Sequence, residues 1–254
     1  MTGMVAGVET REFAAAFQKD LIRFAGKYAG YYTELGRLWQ AGRITDGQYM
    51  RLCVALERAA HDGSAGMAVD FVSEFRRMCG AEVGRIVIDD FTPEAAFART
   101  AFAVKRVGDN PDDANHIVNS VTSGMERAVM NAARDTIEWS AGAEHRTWRR
   151  VTDGDPCAFC AMLATRDDYT TKERAISAGH VGRHRRKGKR PVGARYHDHC
   201  GCTVVEVVGP WERTKADQRY MDIYQKARER CAEKGLSESP VNVLAMMRDI
   251  SDMR

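Results

Sequence analysis

The stretch Tyr196–Val205, "YHDHCGCTVV", sets four potential metal donors, His197, His199, Cys200 and Cys202, directly ahead of a β-branched run. Its counterpart is Asp155–Cys160, "DPCAFC", a Cys-x-x-Cys that follows an Asp-Gly pair and a Trp-containing segment. Two residues between cysteines let both thiolates point into one small volume from a tight turn, which suits a tetrahedral ion. The spacing His197-x-x-Cys200 does the same. A strand beginning at Cys200 would instead send Cys200 and Cys202 to one face, because side chains alternate with period two. Two ligand sets therefore stay open, Cys157 and Cys160 with His197 and Cys200, or with Cys200 and Cys202. Four N and S ligands, with no further cysteine nearby for a cluster, favour structural zinc over iron.

The chain has 254 residues and seven cysteines. Cys53, Cys79 and Cys231 stand alone in helix-like contexts and read as small buried hydrophobes. No run of about 18 apolar residues occurs, and the start "MTGMVAGVETREF" lacks the charged and apolar regions of a signal peptide. The expectation is a soluble protein made in a cytoplasm, where paired cysteines point to metal rather than to disulfides. A closed site that ties two remote segments together contributes on the order of 10 kcal/mol in small domains where metal binding and folding are coupled.

Upstream of the cysteines the pattern is helical. Phe13, Phe17, Leu21, Phe24, Tyr28, Tyr31, Leu35 and Leu38 step by three or four residues and form one stripe of a long helix, interrupted at Gly42. "TDGQ" predicts a helix start, with Thr45 as cap and Gln48 reaching back in a capping box. "HDGSAG", residues 61–66, predicts a turn that separates this helix from a third through Phe71, Phe75 and Met78. "RIVIDDF", residues 85–91, fits a short strand or a helix end equally well. Thr92 with Pro93, and Asn110 with Pro111, each open a further helix, the second running to about Gly142. Then "TWRRV" and "CTVVEVV" predict a small sheet around the cysteines. Two helical pieces follow, from Glu212 and from Ser239. The fold class is mainly α: a helical region over 1–142, a small α+β zinc-knuckle module over 143–209 and a helical tail over 210–254.

A formal net charge of +3 does not by itself indicate a nucleic-acid binder. Its clustering says more: Arg183, Arg185, Arg186, Lys187, Lys189 and Arg190 crowd a Gly-containing stretch that cannot bury itself, so the basic loop over 182–195 is expected to be exposed and able to meet phosphate or an acidic protein face. Catalytic readings fare less well. "PCAFC" matches half of a zinc deaminase pattern, but the required His-x-Glu is missing upstream. A histidine-metal-finger nuclease would suit "HDHC" beside a basic loop, yet no histidine follows His199 and the only later asparagine is Asn242. Asp153, Asp155, Asp167 and Asp168 read as turn formers and a solvated face. The expectation is a protein that is not an enzyme, with a metal-dependent DNA nuclease as the alternative.

In order, Asn131 and Arg134 on a helix, Trp148 on a strand, Asp153-Gly154, Cys157-x-x-Cys160 and His197-x-x-Cys200-x-Cys202 resemble the C-terminal domain of phage Mu F-like minor head proteins. The resemblance covers roughly residues 115–208 and is most specific in its Cys/His part. "CAMLATRDDY" departs from the family's usual Leu-Asp-Gly turn, and the basic linker is long. The resemblance implies a minor structural component of a tailed-phage head, made in the host cytoplasm and carried in the virion head, associated with portal or capsid proteins, with possible contact to packaged DNA and none to membrane.

Overall fold

The computed structural model describes residues 2–166, 200–209, 213–251 and 253. The first helix, α1, spans Thr2–Gln40, and α2 spans Asp46–Met78. Gly42, at φ 66°, reverses the chain between them. The capping box forms as the spacing predicts: Gln48 N donates to Thr45 Oγ1 at 3.3 Å, and Thr45 N donates to Gln48 Oε1 at 2.8 Å. Trp39 stacks on Tyr49 at 4.4 Å and its indole N–H donates to Asp46 at 2.8 Å, fixing the angle of the hairpin.

The turn expected at 61–66 does not form, and α2 passes straight through it. Tertiary packing overrides the local signal. The hydroxyl of Ser64 is fully buried and donates to Val129 O at 2.6 Å. A Cβ on Gly63 would lie 2.6 Å from Phe24 Cζ, so glycine lets α1 approach closely. Around this contact Phe71 stacks on Phe17 at 4.2 Å and on Phe13 at 5.3 Å. Burying each such aromatic contributes about 1.5–3 kcal/mol.

α3 (Pro93–Asp109) begins at its proline as expected, although Thr92 makes no side-chain cap. A single 3₁₀ turn, Pro111–Asp113, leads into α4 (Ala114–Ala143). This helix is buried on most of its circumference from Val121 to Ala141, packing against α1, α2 and α3. Residues 81–91, between α2 and α3, are neither the helix end nor the strand that the sequence allowed. They run alongside α4, bonded to its side chains.

β1 (Trp148–Val151) pairs antiparallel with β2 (Thr203–Glu206), Trp148 facing Glu206 and Val151 facing Thr203. Between them in sequence lies α5 (Ala158–Ala164). α6 (Lys215–Glu233), opened by a capping box at Thr214 and Asp217, and α7 (Pro240–Ser251) pack on each other and on α5. The mainly α class with its small sheet is what the sequence predicts.

Candidate metal centre

Cys157 occupies the N-cap of α5 and Cys160 lies in its first turn, so the knuckle is the start of a helix. Cys200 and Cys202 come just before β2; the strand starts at Thr203, not at Cys200 as one ligand reading required. A turn, rather than strand alternation, brings the second pair together. The Sγ atoms of Cys160, Cys200 and Cys202 all lie within 4.8 Å of one another, and Cys160 and Cys200 are 3.6 Å apart. Cys157 packs in the same buried cluster, with Phe159 against it, and is hydrogen-bonded to Cys160. A tetrahedral ion with metal–sulfur bonds of about 2.3 Å sets its ligands about 3.8 Å apart, so the thiols of Cys160, Cys200 and Cys202 fit one ion. They are positioned to bind a metal.

Three parts of the fold hold the second pair. Arg134 of α4, fully buried, donates from Nε to Cys202 O at 3.0 Å and from Nη2 to the carbonyls of both Cys200 and Cys202, while Asn131 accepts from its Nη1 at 3.0 Å. Asp153, in the turn where Gly154 takes φ 93°, accepts from Gly201 N at 3.1 Å. Gln18 of α1 donates to Gly201 O at 2.8 Å. Gly201 itself is required by close approach, since a Cβ there would lie 2.6 Å from Asp153 Oδ2 and 2.8 Å from Ile22 Cδ1. From β1, Arg150 Nη1 reaches Cys160 Sγ at 3.9 Å.

The electrostatics favour a thiolate at Cys200 and disfavour one at Cys160 and Cys202. Hydrogen bonds from Cys160 and Cys202 hold the Cys200 thiol far below its ordinary range; burial opposes this, and Arg134 and Arg150 add to it. Cys160 is pushed up because it bonds to Cys157, Cys200 and Cys202 and is buried, against the pull of Arg150. For Cys202 the bond with Cys160 lowers the value, but the bond with Cys200 and burial outweigh it. Arg134 and Arg150 are the buried cations whose charge favours a thiolate at Cys200. That is the state a cation binds. Cys200 also borders a cleft of about 130 Å³ lined by Ile22, Glu126, Arg127, Met130, Asp153 and Gly201.

With the geometry in place, the chain matches the family described as VG15 protein over residues 10–227. The chain belongs to this family. VG15 is a family of viral, phage-encoded proteins, and the match runs from α1 into α6, taking in the thiol cluster and Arg134 together. No curated protein and no solved structure matches the chain.

Of the sequence-predicted ligands, the structure gathers Cys157, Cys160, Cys200 and Cys202. His197 lies outside the described residues, as does the basic stretch from Arg183 to Arg190. Sequence reasoning took Asp153 for a turn former and missed its bond to Gly201. It also missed Gln18 and Arg150. Gln18 carried a signal, being a polar residue inside the apolar stripe between Phe17 and Leu21, and it is 5% exposed. The isolated cysteines behave as read: Cys53 and Cys231 are buried and Cys79 partly so, burial pushing the Cys53 thiol up to about 12. Among the described residues, no helix is long and apolar enough to cross a membrane.

Proposed function

We propose that this VG15 protein is a non-enzymatic minor structural component of a tailed-phage head, associated with the portal or the capsid interior, in which a zinc ion clamps the Cys module onto the helical body. The observation that carries the reading is the all-sulfur cluster: Cys160, Cys200 and Cys202 converge within 4.8 Å and are buried, with Cys157 beside them. Four thiolate ligands fill a tetrahedral site, leaving no position for substrate or activated water, and a closed site of this kind is structural. Family membership and the Mu F-like order of Arg134, Trp148, Asp153 and the cysteines support the head assignment.

In this reading Cys157 is the fourth ligand. Arg134 and Arg150 offset the excess negative charge of four thiolates around a divalent ion. The basic stretch Arg183–Arg190 contacts packaged DNA or an acidic protein face.

Elemental analysis of the purified protein tests the clamp: one zinc per chain is expected, retained in His197→Ala and lost in Cys157→Ser. Metal retained in Cys157→Ser but lost in His197→Ala would make His197 the fourth ligand. Absence of stoichiometric metal would overturn the clamp altogether. Incubation with DNA and magnesium or manganese is expected to give no cleavage; cleavage abolished by changing His197 or His199 would establish the nuclease alternative. Any DNA binding through the basic stretch must fall steeply with salt, because it rests on phosphate contacts.

A further inference from the structure

In residues 81–91 the backbone hydrogen bonds made to the rest of the protein come from odd-numbered residues. Val83 O and Arg85 O accept from Arg76 Nη1. Arg85 N donates to Glu144 Oε1 at 2.6 Å, Val87 N to Ser140 Oγ at 2.9 Å and Asp89 N to Thr136 Oγ1 at 3.0 Å, while Val87 O accepts from the Ser140 hydroxyl at 3.3 Å. Thr136, Ser140 and Glu144 are four residues apart, a helical rise of about 6 Å. Two residues of extended chain advance about 6.7 Å. The match in repeat holds residues 85–89 extended and antiparallel to α4, with helix side chains standing where a neighbouring strand would be.

In extended chain the N–H and C=O of one residue point to one side and those of the next to the other. Ile86 and Ile88 therefore turn both backbone groups away from α4, and among the described residues nothing pairs with them. Ile88 is 54% exposed. The segment is an extended, β-branched stretch whose side toward α4 is satisfied and whose other side, among the described residues, is open, a template for strand addition.

We propose that this edge pairs antiparallel with the same edge of a second copy of the chain, about a two-fold axis at Val87. The sequence selects both the occupant and the register. Open-edge residues are even-numbered on both chains, so even must face even. Placing Ile86 opposite Ile88 sets Val87 opposite its own copy and Arg85 opposite Asp89, apolar against apolar and cation against anion. The neighbouring registers are worse: one puts Ile86 opposite Asp90 and Arg85 opposite Phe91, and the other draws Gly84, at φ 56°, into the ladder. Asp89 gives Oδ2 to His61 at 3.0 Å, which leaves its second oxygen for the exposed Arg85. Each Ile86–Ile88 pair exchanges both its hydrogen bonds, and the two-fold axis generates the pair twice. The contact is small, so it belongs to the weak, concentration-dependent class of interface.

Sedimentation across a wide concentration range tests this with the full chain. The wild-type protein is expected to move from monomer to dimer as concentration rises. Ile88→Pro removes an N–H that makes no bond among the described residues and suits an extended backbone, so it should abolish the dimer while leaving the melting temperature unchanged. Should that variant misfold, Val87→Cys decides: under mild oxidation it should give a disulfide-linked dimer well above the wild-type background and above Ile88→Cys, since directly opposed non-hydrogen-bonded residues have Cβ atoms about 4.5–5.5 Å apart. A protein monomeric at every concentration would sink the proposal. So would a dimer that Ile88→Pro leaves intact and Val87→Cys fails to crosslink, which would place the interface elsewhere. Amides of Ile86 and Ile88 protected from exchange in the dilute monomer would also refute it, by showing that the chain covers its own edge.

Discussion

The helical body and the Cys module are stabilised by different means. From α1 to α4 the interior is apolar and aromatic, Leu21, Ala25, Phe71 and Phe75 being typical of it. In and around the module the largest fully buried side chains are arginines: Arg149 and Arg150 from β1, with Arg76 of α2 and Arg134 of α4 reaching in from the body. Arg76 shows why. It donates to both oxygens of Glu206 in β2 at 2.7 and 3.0 Å, to Ser140 O at 2.9 Å, and to the carbonyls of Val83 and Arg85, so all of its donor groups are used. A sheet of two four-residue strands offers little apolar area and many backbone carbonyls. Guanidinium groups satisfy carbonyls around the sheet, those of Val83, Arg85, Ser140, Cys200 and Cys202, and a thiol-bound cation would supply what the small core cannot. The comparison teaches that the body can stand on packing, while the module depends on polar bonds that fail singly.

The sharpest break between the two regions is metal removal. Treatment with a strong chelator, or Cys160→Ser, is expected to unfold the module with a loss on the order of 10 kcal/mol of coupled folding energy. Circular dichroism should keep most of its helical signal while hydrogen exchange across β1 and β2 becomes fast; equal loss in both regions would mean that the body needs the module. Next in size is Glu206→Ala, which strands a buried guanidinium and should cost about 3–5 kcal/mol in urea unfolding. The double change Arg76→Met with Glu206→Leu should recover part of that, since the fully buried guanidinium is then gone and Arg146, the other partner of Glu206, is partly exposed.

Arg134→Met should act on the site more than on the fold, lowering zinc affinity about 10–100-fold in a competition titration, because the carbonyls of Cys200 and Cys202 lose the group that orients them. A smaller effect belongs to the body. Burial opposes the charge on His61, but Asp89 and Asp62 outweigh it by hydrogen bonding and charge, so its pKa is raised. The stabilisation is then fully present below the unfolded value near 6.5 and lost as pH rises through the folded one. Wild-type stability should decline slightly over that window, and His61→Asn should flatten the profile.

Much of this was written into the order of residues. Helical periodicity placed α1 and α4, the Thr45–Gln48 box opened α2, Pro93 began α3, and the two β-branched runs paired as a sheet. The Cys-x-x-Cys spacing and its remote partner pair announced a cluster of thiols positioned to bind a metal. The signals are local: periodicity, capping and spacing are each read from neighbours within a turn or two, even where the strands and cysteine pairs they announce meet from far along the chain.

Other features depended on residues brought together from far along the chain. "HDGSAG" is a turn by composition and a helix in fact, because Gly63 admits Phe24 and Ser64 finds Val129 across the bundle. "RIVIDDF" is ambiguous by itself, since the partners of its backbone, Thr136, Ser140 and Glu144, belong to a helix some fifty residues later. Spacing could not choose among the thiols and imidazoles; Arg134, Asp153 and Gln18 turn Cys200 and Cys202 toward Cys160, acting over separations that no local pattern records. Short-range preferences fix what each segment can become, whereas buried polar groups must find partners wherever the fold supplies them, and that requirement is settled only in three dimensions.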